Sequence, residues 1–292
     1  MLGFANKTAK LAQRSLEQGA STIHAVGVAA VSLSHPTIAR FLNKVPAVTL
    51  AFWIIKIMAT TVGETGADYL AVHVGLGTAV TGGIMAVLLA AALLAQLRSR
   101  RYVPWIYWLT VVLVSVVGTQ ITDALTDRLE ISLYLSTAVF AVLLAVTFMV
   151  WYARERTLSI HTIVTTRREL FYWTAILFTF ALGTAAGDLA TEALSLGFTV
   201  GVLVFGTLIA AIYAAYSLGG NPVLTFWLAY ILTRPLGASL GDLLSQAQAY
   251  GGLGLGTVLT SIAFLTVIVI LVAYLSVAPN RPADHPKAAE EG

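Results

Sequence analysis

The sequence predicts an all-α integral membrane protein, with eight transmembrane helices arranged as four parallel two-helix repeats. Three observations carry that prediction. The first is composition: of 292 residues, 58% are hydrophobic and 11% charged, with a mean hydropathy of +0.84, whereas a soluble domain carries about 25% charged residues. The second is a set of apolar segments near 46–66, 76–97, 103–122, 131–153, 170–187, 196–217, 222–241 and 254–278, each close to the roughly 20 residues a helix needs to cross a bilayer. The third is an internal repeat, developed below. Together they exclude a soluble enzyme, a disordered chain and a nucleic-acid binder. The absence of cysteine excludes a disulfide framework, thiolate catalysis and a Cys-built metal centre.

The elements follow in chain order. Residues 1–45 hold Lys7, Lys10 and Arg14, the single acid Glu17, and a short apolar stretch before His35-Pro36. The spread of the basic residues and the late apolar run argue against a cleaved signal peptide and for an amphipathic segment on the cytoplasmic face. Repeat units are expected over 46–97, 103–153, 168–217 and 222–278. Each span is continuously apolar rather than alternating, which indicates helices and not barrel strands. Residues 279–292, with Pro279, Pro282, Pro286 and Glu290-Glu291, read as a disordered cytoplasmic tail.

Orientation is read from Lys and Arg. Fourteen of the 17 lie before the first span, after the second and fourth spans, or in the tail. The opposite side has Arg128, and Lys56 and Arg234 fall inside spans. The positive-inside bias predicts a multi-pass protein of a bacterial inner membrane with both termini cytoplasmic.

The repeat has a fixed frame. Aromatic–Trp pairs occur at Phe52-Trp53, Tyr107-Trp108, Tyr172-Trp173 and Phe226-Trp227. A glycine follows each Trp by ten residues (Gly63, Gly118, Gly183, Gly237), and an aspartate follows each glycine by five (Asp68, Asp123, Asp188, Asp242). Chance does not supply four such sets on successive odd-numbered spans. A unit of two spans returns the chain to the same side, so the four units are parallel repeats related by an axis along the membrane normal. A pseudo-fourfold ring and a pair of pairs both satisfy this.

With these Trp–Gly–Asp sets, the chain over about residues 45–278 resembles a bacterial family of membrane proteins built from four tandem two-span repeats. Each repeat bears a characteristic tryptophan. The family is described as a repeat of unknown function, or as an uncharacterised membrane-anchored protein. The resemblance implies the architecture and assigns no activity.

Chemistry is sought in the few charges that lie within spans. Each repeat aspartate falls near the outer end of its helix, where the negative pole of the helix dipole disfavours a carboxylate. Intramembrane acids are costly and mark ion pathways or proton relays. Three further acids join them: Glu64 four residues before Asp68, Asp127 four after Asp123, and Glu192 four after Asp188. An i,i+4 spacing puts each pair on one face if the helix persists, where two carboxyls resist being ionised together, as a proton carrier or cation site requires. With Thr65, Thr119, Gln120, Thr122, Thr184 and Ser239 nearby, the oxygen-only set suits a hard cation, with Asp68, Asp123, Asp188 and Asp242 as metal ligands. The simpler reading is that each aspartate ends a helix in interfacial water. His73 reads as a solvated loop residue.

Lys56 and Arg234 break the repeat symmetry and are expected to pair with carboxylates, Glu64 or a repeat aspartate for Arg234, as a structural bridge or a gate. Pro235 adds an expected kink. Trp53, Trp108, Trp173 and Trp227 read first as an interfacial belt, with a cation–π cage as the sharper alternative. The glycines read as close helix packing, with local unwinding as the alternative. No nucleotide, metalloprotease or nucleophile-elbow motif is present, so neither an enzyme nor a cofactor is expected.

The leading expectation is a membrane transporter, proton-coupled and exporting, for a hard cation such as Mn²⁺ or Mg²⁺. Its partners would be the bilayer and a small cation or proton. A non-transporting scaffold or sensor and a passive cation channel are the alternatives.

Overall fold

The computed structural model describes residues 43–69 and 77–277. Residues 1–42 of the basic N-terminal segment, His73 and the tail lie outside the described residues, as do the side chains of Asp68, Asp127 and Glu192. Among the described residues the chain forms eight α-helices and no strand: α1 (Leu50–Asp68), α2 (Gly77–Arg98), α3 (Pro104–Asp123), α4 (Leu133–Glu155), α5 (Thr166–Asp188), α6 (Gly197–Ser217), α7 (Pro222–Ser245) and α8 (Thr257–Val277). They stand where the eight apolar segments were read. Seven are long and apolar enough to cross a membrane, the composition of a multi-pass membrane protein; α1, which carries Lys56 and Glu64, is not among the seven.

Local chemistry sets the helix ends. The side chains of Thr49, Ser132, Thr165 and Asn221 accept hydrogen bonds from the first free backbone N–H groups of α1, α4, α5 and α7, satisfying donors that a helix start leaves open. Pro104 and Pro222 open α3 and α7, where a missing N–H costs nothing. After Asp123 and Asp188 the chain widens into π-turns over Ala124–Arg128 and Leu189–Ala193.

Neighbouring helices do not pair as the repeat units suggest. The odd helices α1, α3, α5 and α7 pack in a closed cycle, each against the next and α7 against α1. Each even helix covers the odd helix of the following repeat, α2 on α3, α4 on α5, α6 on α7, with α8 returning to α1. Of the two arrangements that fit parallel repeats, this packing is the pseudo-fourfold ring. In α3, α5 and α7, 61–67% of the most apolar stretch is buried, against 11–22% in the even helices. The even helices instead expose residues such as Val87, Val142, Leu203 and Val269.

The repeat glycines make the inner ring possible. A Cβ added at Gly63 would collide with Ser115, one at Gly118 with Phe180, one at Gly183 with Arg234 and one at Gly237 with Thr60. Each obstructing residue sits three positions before the glycine of the next repeat, so one contact recurs around the whole cycle. Packing, not unwinding, is the role of these glycines: all four lie inside unbroken helix.

The aromatic pairs close the ring a second time. Phe52 packs on Trp108, Tyr107 on Trp173, Tyr172 on Trp227 and Phe226 on Trp53, with ring centroids 5.5, 5.5, 6.2 and 5.7 Å apart. This corrects the interfacial-belt reading of the tryptophans. Trp108, Trp173 and Trp227 are buried and Trp53 is half-buried; aromatic pairs at this separation add about 0.5–1.5 kcal/mol each beyond their area. The positional prior failed because each Trp is accompanied by an aromatic that holds it inward.

The ten extra residues between the second and third repeats fold back beneath the ring. Trp227 donates from Nε1 to the Leu158 carbonyl at 3.0 Å, and the Lys44 backbone N–H donates to Ile163 at 3.0 Å. Lys44 Nζ meets Glu169 Oε2 at 2.6 Å while Gln96 Nε2 donates to Oε1 at 3.0 Å. This buried cluster ties residues 43–45 to the ends of α2 and α5. At the same level, burial pushes the phenol of Tyr102, which accepts a hydrogen bond from Trp108, above its usual range.

Candidate functional site

On every odd helix a series of buried positions recurs every four residues. Counting from the aromatic before each Trp, the first layer is Phe52, Tyr107, Tyr172 and Phe226. The second is Lys56, Val111, Ile176 and Tyr230. Thr60, Ser115, Phe180 and Arg234 form the third, and Glu64, Thr119, Thr184 and Ala238 the fourth. All sixteen are buried. The next position in this register is the repeat aspartate. Each four-residue step rises about 6 Å and turns the face by about 40°, so neighbouring layers share a face while the fifth has turned well away from the first.

The polar content rises toward the aspartate end. In the first layer Tyr107 and Tyr172 share a hydroxyl–hydroxyl bond of 2.6 Å. In the second, Lys56 is fully buried, its Nζ 4.1 Å from the Phe180 ring centroid and 4.4 Å from that of Tyr230. It has no hydrogen-bond partner among the described residues. Two aromatic faces are its company, so the expected ion pair for Lys56 does not form there.

Arg234 reaches from the third layer into the fourth. Its Nη2 has three acceptors for its two protons, Glu64 Oε2 at 2.5 Å, Thr184 Oγ1 at 2.7 Å and Thr119 Oγ1. These three oxygens come from equivalent positions of three repeats, and the fourth repeat supplies Ala238. Nε and Nη1 of Arg234 find no acceptor among the described residues. The two threonine hydroxyls also donate to the carbonyls four residues back, Ser115 at 3.1 Å and Phe180 at 3.1 Å, which leaves their lone pairs facing the guanidinium. Of the two partners open to Arg234, the structure brings it to Glu64.

α7 runs unbroken through Pro235. Hydroxyls of α1 reach carbonyls on either side of the proline, Thr61 Oγ1 donating to Gly237 at 2.9 Å and Thr60 Oγ1 to Thr233 at 3.4 Å. Pro235 itself packs under Gly187.

The aspartates occupy the last position of the register. Asp123 and Asp188 close α3 and α5, Asp242 lies in the last turn of α7, and all three are half-buried. Asp68 closes α1. Among the described residues no three His, Asp or Glu side chains gather to hold a metal ion; Asp123, Asp188 and Asp242 therefore make no metal centre by themselves. The i,i+4 argument for Asp127 and Glu192 also changes. Both fall in π-turns, where backbone bonds close over five residues rather than four, so the helix does not persist as that argument requires.

Sequence reasoning missed the layers between Trp and Asp. The signal was present: Lys56, Arg234 and Glu64 fall three, seven and eleven residues after their Trp, one face apart by whole steps of four. An apolar groove of about 710 Å³ between α4 and α7, with Arg156, Thr157 and Asn221 at one end, lies outside the ring.

Four stretches of the chain, residues 51–102, 106–157, 171–219 and 225–279, match the family described as Repeat of Unknown Function (DUF347). No curated protein and no solved structure matches the chain. The matches cover most of the sequence in four tandem copies, and the chain belongs to that family.

Proposed function

We propose that this four-repeat protein is a secondary transporter of the bacterial inner membrane, with both termini cytoplasmic, that moves a small hard cation along its pseudo-fourfold axis. One observation carries the reading. Three buried charged residues, Lys56, Glu64 and Arg234, meet side chains of several odd helices between the aromatic layer and the helix ends that carry the aspartates, inside a shell of apolar helices. Fourteen of 17 cations on one side support the orientation, which places the aspartates at the periplasmic mouth.

The same arrangement argues against the alternatives. A passive channel needs an open, wetted path, whereas here Phe180, Arg234 and Lys56 fill the axis. A scaffold has no use for buried charges that cost several kcal/mol each and would be exchanged for apolar residues without loss. A carrier does use them, because a charge whose partner is exchangeable can hold one conformation closed until an ion or proton replaces it. Proton coupling follows if the aspartates and Glu64 take up protons as the cation leaves.

The test is flux in proteoliposomes under an imposed pH gradient, read with radioactive Na⁺, K⁺ and Mn²⁺. Replacing Asp68, Asp123, Asp188 and Asp242 together by Asn should remove most of the flux while leaving the melting temperature near that of wild type. Wild-type flux in the fourfold variant, or none in the wild type with any of these ions, overturns the proposal.

A further inference from the structure

We infer that Nη2 of Arg234 occupies a cation site as a tethered stand-in, and that the ion which replaces it is a monovalent alkali cation; this deepens the transport reading and rests on it. Three oxygens from three different helices converge on one nitrogen: Glu64 Oε2, Thr119 Oγ1 and Thr184 Oγ1. All three residues are buried, and they occupy one layer of the ring. Remove that nitrogen and what remains is an oxygen cage of one carboxylate and two hydroxyls. The hydroxyl protons have backbone carbonyls to go to, so the cage presents lone pairs.

The grip on the arginine is partial. Of its three guanidinium nitrogens only Nη2 is satisfied; Nε and Nη1 have no acceptor among the described residues. A buried arginine that is there for stability normally pairs through its fork, two parallel bonds to one carboxylate. Arg234 does not. Beneath it, Lys56 Nζ lies against the ring of Tyr230, one turn before Arg234 on the same helix, and offers the guanidinium no acceptor. These are properties of a displaceable occupant.

The cage also selects its ion. It offers one negative ligand, which balances a single positive charge, and the fourth repeat contributes only Ala238. Mg²⁺ and Ca²⁺ sites draw on several oxygen ligands with carboxylates among them, whereas one carboxylate balances only a singly charged hard cation, with water free to complete its shell. The single charge favours an alkali ion over the divalent ions expected from the aspartates.

The experiment removes the tethered competitor and keeps its packing. Gly183 rests on Cβ and Cγ of Arg234, and Arg234→Met retains both atoms. The purified full-length variant is melted in NaCl, KCl, MgCl₂, MnCl₂ and, as the reference, choline chloride. If the guanidinium fills the cage for nine-tenths of the time or more, its removal strengthens apparent alkali-ion binding by about tenfold or more. Na⁺ or K⁺ should then raise the melting temperature of Arg234→Met above its value in choline, at concentrations that leave wild type unchanged. Glu64→Gln in the same background should abolish the shift. Should Arg234→Met fail to fold in choline, recovery in NaCl or KCl supports the cage as directly. No alkali-specific effect, or an effect of the divalent ions alone, overturns the inference. An alkali-ion shift in Arg234→Met beside a wild type that carries no flux would keep the cage and discard transport.

Discussion

The odd and even helices are of similar length and seven of the eight are apolar enough to be spans, yet the ring uses them in opposite ways. The even helices bury only a narrow strip and turn Val, Leu and Ile outward. The odd helices bury most of their surface, and one of their buried faces is a ladder of hydroxyls, phenols and charges. Hydropathy says that a helix belongs in a membrane; it does not say which helices meet lipid. What separates the two classes is the spacing of small and polar residues, four apart on the axial face and one Gly at each crossing.

Three changes probe this difference, beginning with the largest expected effect. Glu64→Ala strands the Arg234 guanidinium in the core, and breaking a buried pair by removing one partner costs about 3–5 kcal/mol. It should give the largest fall in melting temperature of the three, measured in detergent micelles. An unchanged melting temperature would mean that the axial layer is wet and the pair weak. Gly183→Ala drives a methyl to 2.4 Å from Arg234 Cγ and 2.5 Å from its Cβ; overpacking of this kind costs about 1–3 kcal/mol. The same substitution on an outer helix, Gly206→Ala in α6, meets nothing within 4 Å. It should leave stability unchanged or raise it by up to about 1 kcal/mol through helix propensity. Equal responses at Gly183 and Gly206 would erase the distinction between inner and outer rings.

Much of the architecture is legible in the residues. Eight apolar runs locate eight helices, and the Trp–Gly–Asp frame locates the four that matter. The interleaving is not legible, because a period of 54–65 residues states that units are alike without stating which neighbour each one covers. That choice is made by close approach: Gly63 against Ser115 joins the first repeat to the second, and Gly237 against Thr60 joins the last to the first. The tryptophans mislead for a related reason. Their amphipathic rings suit a membrane interface, and only the partner one repeat further on, as in Phe52 with Trp108, draws them inward. At the candidate site, the pairing of Arg234 with Glu64 could be anticipated from cost alone, since a buried cation needs a carboxylate. Its convergence with Thr119 and Thr184 could not, because it depends on four helices meeting at one height.

The return of α8 onto α1 has a consequence for how the chain is made. Among the described residues the earliest helix, α1, is the one outside the apolar seven; α3 of the second repeat packs on one side of it, and the rest of its surroundings come late. Glu64 waits for Arg234, 170 residues downstream; Lys56 waits for Phe180 and Tyr230; the outer flank of α1 waits for the final helix. A chain made from its N-terminus therefore has α1 before the partners of Glu64 and Lys56, and the ring can close only once the last repeat is present.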